Sequence, residues 1–265
     1  MMRDLLIRGM LAGLVAGLLA FGFAKVFGEP QVDRAVAFEE QAQSGAPAHH
    51  HADAAEDHSE AAAPHEHEGE ELVSREVQST LGLLTAVVVY GAAMGGLFAL
   101  TFAFAYGRLG SLSPRTLAAL LAAAGFLAIY LVPSLKYPAN PPAIGNAATI
   151  GLRTGLYFLM IIVSLGALTL SVALARRLAI RHGLWNATLM AGAAFIGAMV
   201  LAQLLLPDIN EVPAEFPAVV LWKFRMAAAG MQALMWAALG VLFGLFAERR
   251  LKSVPGQPKR ALRPA

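Results

Sequence analysis

"LGLLTAVVVYGAAMGGLFALTFAFAY", residues 81–106, contains no charged side chain, and the uncharged stretch around it runs from Val77 to Gly107. A bilayer's hydrocarbon core takes roughly 20 apolar residues of helix to cross. A run of this length predicts a membrane-spanning helix, not a core helix of a soluble domain. Working outward, five more runs have the same character, and the predicted helices are 5–27, 81–106, 117–135, 154–175, 187–206 and 226–247. Six such runs cannot all hide in one soluble core. The expected fold is an all-α integral membrane protein, a six-helix transmembrane bundle with long extracytoplasmic loops. Gly and Ala are dense in every run, as close helix packing in lipid requires.

The first run is the least clear. Its uncharged part is only Gly9–Ala24, with Arg8 and Lys25 at its ends. Arg3, Arg8 and the small residues around Ala20-Phe21-Gly22 have the look of a cleaved signal peptide. The apolar run continues through Phe27, however, longer than most signal-peptide cores, so it is read as a helix that is kept.

Composition excludes several classes. Hydrophobic residues make up 57% of the 265 and charged residues only 14%. With no cysteine there is no thiolate metal site. The basic residues sit at helix ends and not in a patch, which is a topology signal rather than a sign of nucleic-acid binding. No P-loop or HExxH motif occurs, nor any nucleophile–base set, so neither ATP binding through a P-loop nor enzyme activity is expected.

Orientation follows from the arginines and lysines. With a cytoplasmic N-terminus, that side receives Arg3, Arg8, Arg108, Arg115, Arg176, Arg177, Arg181, Arg249, Arg250, Lys252, Lys259, Arg260 and Arg263. Of the acids, only Asp4 and Glu248 fall there. Both termini are expected in the cytoplasm of a bacterial inner membrane, with residues 248–265 a basic tail. The cytoplasmic connections are short, and the external ones (28–80, 136–153 and 207–225) are longer and proline-bearing.

The first external loop contains "PAHHHADAAEDHSEAAAPHEHEGEE", residues 47–71, with six of the seven histidines and eight carboxylates. Residues 40–76 are expected to be solvated and without fixed structure, because they offer hardly any large apolar side chain. Neutral imidazole suits nickel, cobalt, copper and zinc, and a carboxylate can complete the shell. His49, His50, His51, His58, His65 and His67 are therefore the candidate metal ligands, holding a transient divalent ion and no tightly bound cofactor. A solubilising linker with incidental histidines is the plain alternative.

The second loop, "LVPSLKYPANPPAIGN", and the third, "LLPDINEVPAEFPAVVLWKFR", echo each other. Each follows a helix ending in hydrophobic-Pro, at Pro133 and Pro207. Further prolines follow at 138 and 142, and at 213 and 217, and each loop closes on an arginine, Arg153 or Arg225. This spacing suggests repeated helical hairpins, a common transporter plan. The acids of the third loop either attract a cation or pair with Lys136, Lys223 and Arg225.

Three stretches, "FGEPQVDRAVAFEEQ" with the histidine tract behind it, "LKYPANPPAIG" and "DINEVPAEFPAVVLWKFR", resemble the CbtA family of proposed cobalt transporter subunits. The likeness runs from the first helix to Leu251. It implies cobalt uptake linked to cobalamin synthesis, and a partner of CbtB type, a small single-helix protein with its own histidines. Members of the family are often described with five spans against the six counted here, and the first span is the expected place of disagreement. Glu29, Asp33, Asn140, Asp208, Glu211 and Glu215 are expected to line an external entrance for the ion. Membrane lipid, the ion and the small partner are the expected contacts; nucleic acid is not. A metal-binding scaffold or sensor that transports nothing, and a permease or exporter for nickel, zinc or copper, are the alternatives.

Overall fold

A computed structural model describes residues 2–44, 74–142 and 144–252. Among them every long element is helical. In chain order these are α1 (Met2–Phe23), α2 (Glu29–Ser44), α3 (Arg75–Val77), α4 (Leu83–Ala105), α5 (Pro114–Gly125), α6 (Val132–Lys136), α7 (Ile150–Leu205) and α8 (Ala218–Lys252). Wider π turns join α1 to α2 at Ala24–Gly28, α3 to α4 at Gln78–Gly82, and α5 to α6 at Phe126–Leu131. Among the described residues five continuous helices are long and apolar enough to cross a membrane, against the six expected.

The difference lies at Gly183 and not at the first span. The expected helices 154–175 and 187–206 are continuous in α7 except at Gly183, whose φ of 74° and ψ of 162° are not helical. A straight helix of 56 residues would run about 84 Å at 1.5 Å per residue. Instead the two limbs fold back on each other. Met160 of the first limb and Met199 of the second are buried in one cluster, with Val163 and Phe195 beside them. Arg153, near the start of α7, reaches Glu211, just past its end. A positive φ costs a side-chain-bearing residue steric strain, so glycine makes this reversal in one residue. The short basic loop expected here is absent, because helix runs up to His182 and resumes at Leu184.

The first external loop also shrinks from both sides. Helix continues from α1 through α2 to Ser44 and begins again at Arg75. "EPQVDRAVAFEEQ" is rich in good helix formers, and Pro30 is tolerated because it follows directly on the π turn Ala24–Gly28. Pro133 sits in the same relation to the π turn Phe126–Leu131. Proline removes the hydrogen bond to the carbonyl four residues back, which is Ile129 here. That oxygen accepts instead from the Tyr157 hydroxyl at 3.4 Å, as a neighbouring helix must arrange in lipid. The turn is widened rather than broken.

The core is built on backbone contact between α1 and α4. Gly9, Gly13 and Gly17 recur every four residues and so share one face; Gly91 and Gly95 answer them. A Cβ on Gly13 would sit 2.0 Å from the Gly91 carbonyl oxygen, and one on Gly95 2.0 Å from that of Gly9. Ala12, Ala16 and Ala20 are fully buried along the same helix. Helices α5 and α8 pack the same way, Gly240 against Ala122 and Gly244 against Ala118. Phe102 and Phe243, fully buried with centroids 5.0 Å apart, fill the centre between the two pairs.

The start of α1 and the end of α8 lie together. Arg250 donates to Asp4 at 2.8 Å, and Arg115 at the start of α5 pairs with Glu248. The three motif-bearing segments meet at the other end. Ala35 of α2, Ile144 and Phe216 are buried in one cluster, and the rings of Phe38 and Phe216 meet edge to face at 5.1 Å. Helix α7 is the least covered of the five spans, with Ile180, Leu184 and Leu204 largely exposed.

Replacing Gly13 by leucine is expected to drive α1 from α4 and lower stability by at least about 1–3 kcal/mol, the usual cost of overpacking. Gly22, where a Cβ would meet nothing within 4 Å, should accept leucine almost silently. Thermal unfolding of both variants in one detergent makes the comparison.

Candidate functional site

Two polar clusters sit at the end opposite the start of α1 and the end of α8. The first joins α2 to α3. Arg75 bridges Glu29 at 2.6 Å and Asp33 at 2.9 Å. Glu29 is largely buried, whereas Asp33 is mostly exposed. Below them the two facing π turns are tied by Lys25, whose ammonium donates to the Ser79 carbonyl and hydroxyl, each at 3.1 Å. The helices entering and leaving the histidine tract are thus latched together at its base.

The second cluster joins the two proline-bearing connections. Lys136 ends α6 and donates to the Gln203 carbonyl at 2.7 Å and to the Asp208 carboxylate. The Tyr137 hydroxyl donates to the Pro207 carbonyl at 2.9 Å. Glu211 accepts from the Asn146 amide at 2.9 Å and from the Thr149 hydroxyl, and Arg153 Nε lies 3.3 Å from it. In return Arg225 donates to Asn140 Oδ1 at 2.9 Å and to the Ala139 carbonyl at 3.3 Å. The arginine closing each connection reaches into the other one. The sequence echo at Arg153 and Arg225 therefore corresponds to a reciprocal clasp.

A cavity of about 840 Å³ opens inside this clasp. Lys136, Asn140, Arg153, Asp208 and Arg225 line its sides, and Tyr130 and Tyr157 line it further along their helices. The clasp explains why the cavity holds its shape: prolines 138, 141 and 142 restrict the backbone, and long-range hydrogen bonds fix its ends.

Most of the acids expected at an entrance are already engaged. Glu29 and Asp33 take Arg75, Asp208 takes Lys136, and Glu211 takes Arg153. Asn140 takes Arg225. Of the two expected outcomes for the third loop, pairing is the one observed for Asp208 and Glu211, although Glu211 pairs with Arg153, a partner the sequence did not suggest. Glu215 is exposed and stands apart from the clasp. Asp208, although paired, is 90% exposed at its side chain. Among the described residues no three histidine or carboxylate side chains are grouped to hold a metal ion. His49, His50, His51, His58, His65 and His67 lie outside the described residues.

The latching role of Arg75 and the meeting of the two tyrosines were not evident from the sequence. Arg75 carried a signal, as the first basic residue after a long acidic tract. Tyr130 and Tyr157 stood out only as hydroxyls within apolar runs; that both line one cavity depends on the packing of α7.

Hydrogen bonds from Thr149 and the Asn146 amide, with Arg153 nearby, hold the Glu211 carboxyl below the ordinary carboxylate range. A depressed pKa means the folded state binds the proton less well than the unfolded chain. The clasp's contribution is thus complete above the unfolded pKa of about 4.3 and fades as pH falls through the folded value. Glu211→Gln should lower thermal stability near neutral pH and flatten its loss on acidification below about pH 4.5, read by unfolding in detergent across pH.

The model of a family described as "Probable cobalt transporter subunit (CbtA)" matches residues 2–248, nearly the whole described bundle. No curated protein and no solved structure gives a significant match. With all three polar connections and all but the last turn of α8 inside the matched range, the chain belongs to the CbtA family.

Proposed function

We propose that this protein is the membrane-embedded subunit of a transition-metal uptake system, with cobalt as cargo. It crosses a bacterial inner membrane six times, the limbs of α7 on either side of Gly183 each making one crossing. Both termini lie in the cytoplasm. The histidine tract then stands outside, where His49, His50, His51, His58, His65 and His67 gather the ion from dilute solution. Imidazoles with nearby carboxylates suit a borderline divalent metal, and a modest affinity would let the ion be handed on.

The observation that carries this reading is the convergence of all three polar segments on one end of the bundle, opposite the start of α1 and the end of α8. Glu29 and Asp33 at the base of the tract, and Asn140, Asp208, Glu211 and Glu215 around the second cluster, form the entrance. Of these, Asp33, Asp208 and Glu215 are exposed, Asp208 with 90% of its side chain open. Inward membrane potential favours cation uptake by about 2.3 kcal/mol per charge per 100 mV, so a divalent ion needs no ATPase on this chain. A subunit requires companions, and a small single-helix protein of CbtB type suits the poorly covered faces of α7.

One observation favours a second reading. The paired acids Glu29, Asp33, Asp208 and Glu211 act as structural latches, which is also what a membrane-anchored metal-binding scaffold would need. Uptake of radiolabelled cobalt into vesicles containing the purified protein, with and without the partner, separates the two. Under the uptake reading, deleting residues 49–67 lowers transport at limiting metal and spares it at saturating metal. Unchanged uptake at limiting metal would remove the capture role, and no uptake by the intact protein with its partner would leave the scaffold.

A further inference from the structure

The cavity inside the clasp carries more positive than negative charge. Its charged lining is Lys136, Arg153, Arg225 and Asp208. Asp208 answers Lys136. Glu211, from beside the lining, answers Arg153. Arg225 has no carboxylate partner among the described residues: its two hydrogen bonds go to Asn140 Oδ1 and the Ala139 carbonyl, both neutral.

A guanidinium carries five N–H donors in a planar fork. Two of those on Arg225 are committed to neutral acceptors, and the side chain is half-buried. A cation partly withdrawn from water without a counter-charge is costly. The group that best relieves it is a planar or tetrahedral oxyanion, which the fork meets with two parallel bonds. Tyr130, also in the lining, brings a hydroxyl that donates as well as accepts. A bare divalent cation gains nothing at Arg225.

We infer that this cavity is a binding site for an oxyanion, a carboxylate or phosphate group, held by Arg225. The site goes beyond the uptake reading and does not depend on it, since it stands even if the chain moves no metal. Its place at the end of the spans is open to two sources of the same chemistry: the phosphate of an anionic lipid, or a free oxyanion from solution.

The test uses the full chain in dodecyl maltoside, which contains no phosphate, and in nanodiscs containing phosphatidylglycerol. Citrate and inorganic phosphate are titrated at constant ionic strength against chloride, and binding is read by calorimetry and by the shift in Tm. Saturable binding in detergent that weakens about tenfold or more in Arg225→Gln, as expected for losing a charge-assisted pair, assigns a free oxyanion. Stabilisation that appears only with phosphatidylglycerol and vanishes in the same variant assigns the lipid. Asn140→Asp places a carboxylate against Arg225 without removing the guanidinium. It should fold at least as stably as the parent and lose the anion effect. Anion binding by Asn140→Asp at parental strength, or no anion effect on the parent in either medium, overturns the site.

Discussion

Close approach of glycine backbones on α1 and α4 is the contact on which the rest of this structure depends. Inside a bilayer two apolar helices gain little by leaving lipid for each other, so association rests on van der Waals contact and small-residue packing. Gly9, Gly13 and Gly17 let α1 lie against the carbonyls of Val87, Gly91 and Gly95. That contact sets the height of α1 relative to α4. It thereby sets the level at which Lys25 meets Ser79, and at which Arg75 meets Glu29 and Asp33. The base of the histidine-bearing segment is placed by five glycines some way down the bundle.

The second organising contact is polar. Arg153 and Arg225 each close one connection and each reach across to the other. Either bond alone would leave one connection free to lift. Crossed, they make the two connections a single rim, with Lys136 and Tyr137 as further ties. This explains why carboxylates that look, on paper, like a lure for cations mostly serve to hold the rim together. It also leaves Arg225 as the charge that the rim does not balance.

Helix existence was legible because lipid enforces it: an uncharged run such as Val77–Gly107 has no other stable form in a membrane. The helix ends were less so. Glu29–Ser44 is polar enough to read as loop, and its helicity follows from good helix formers continuing an anchored helix. The reversal at Gly183 was hidden because a basic stretch with a glycine also describes an ordinary loop. The density of small residues was visible, but which helices they would bring together was not, since small residues occur on all of them. At the candidate site, the three segments singled out in the sequence meet at one end of the bundle, and four of the six residues expected at an entrance are paired acids. The pairing was out of reach because its partners are distant in the chain: Arg225 and Asn140 stand 85 positions apart, and Arg153 meets Glu211 only because α7 doubles back.

The one-residue reversal at Gly183 bears on how the chain is made. A turn with no linker couples the two limbs of α7 closely, so in the six-crossing arrangement proposed above they would insert as a pair. Arg176, Arg177 and Arg181 stand beside that turn and resist being dragged through hydrocarbon. With the orientation proposed above, the pair enters the bilayer rim first, carrying Thr149 and Pro207 across, while the guanidinium groups stay on the ribosome's side.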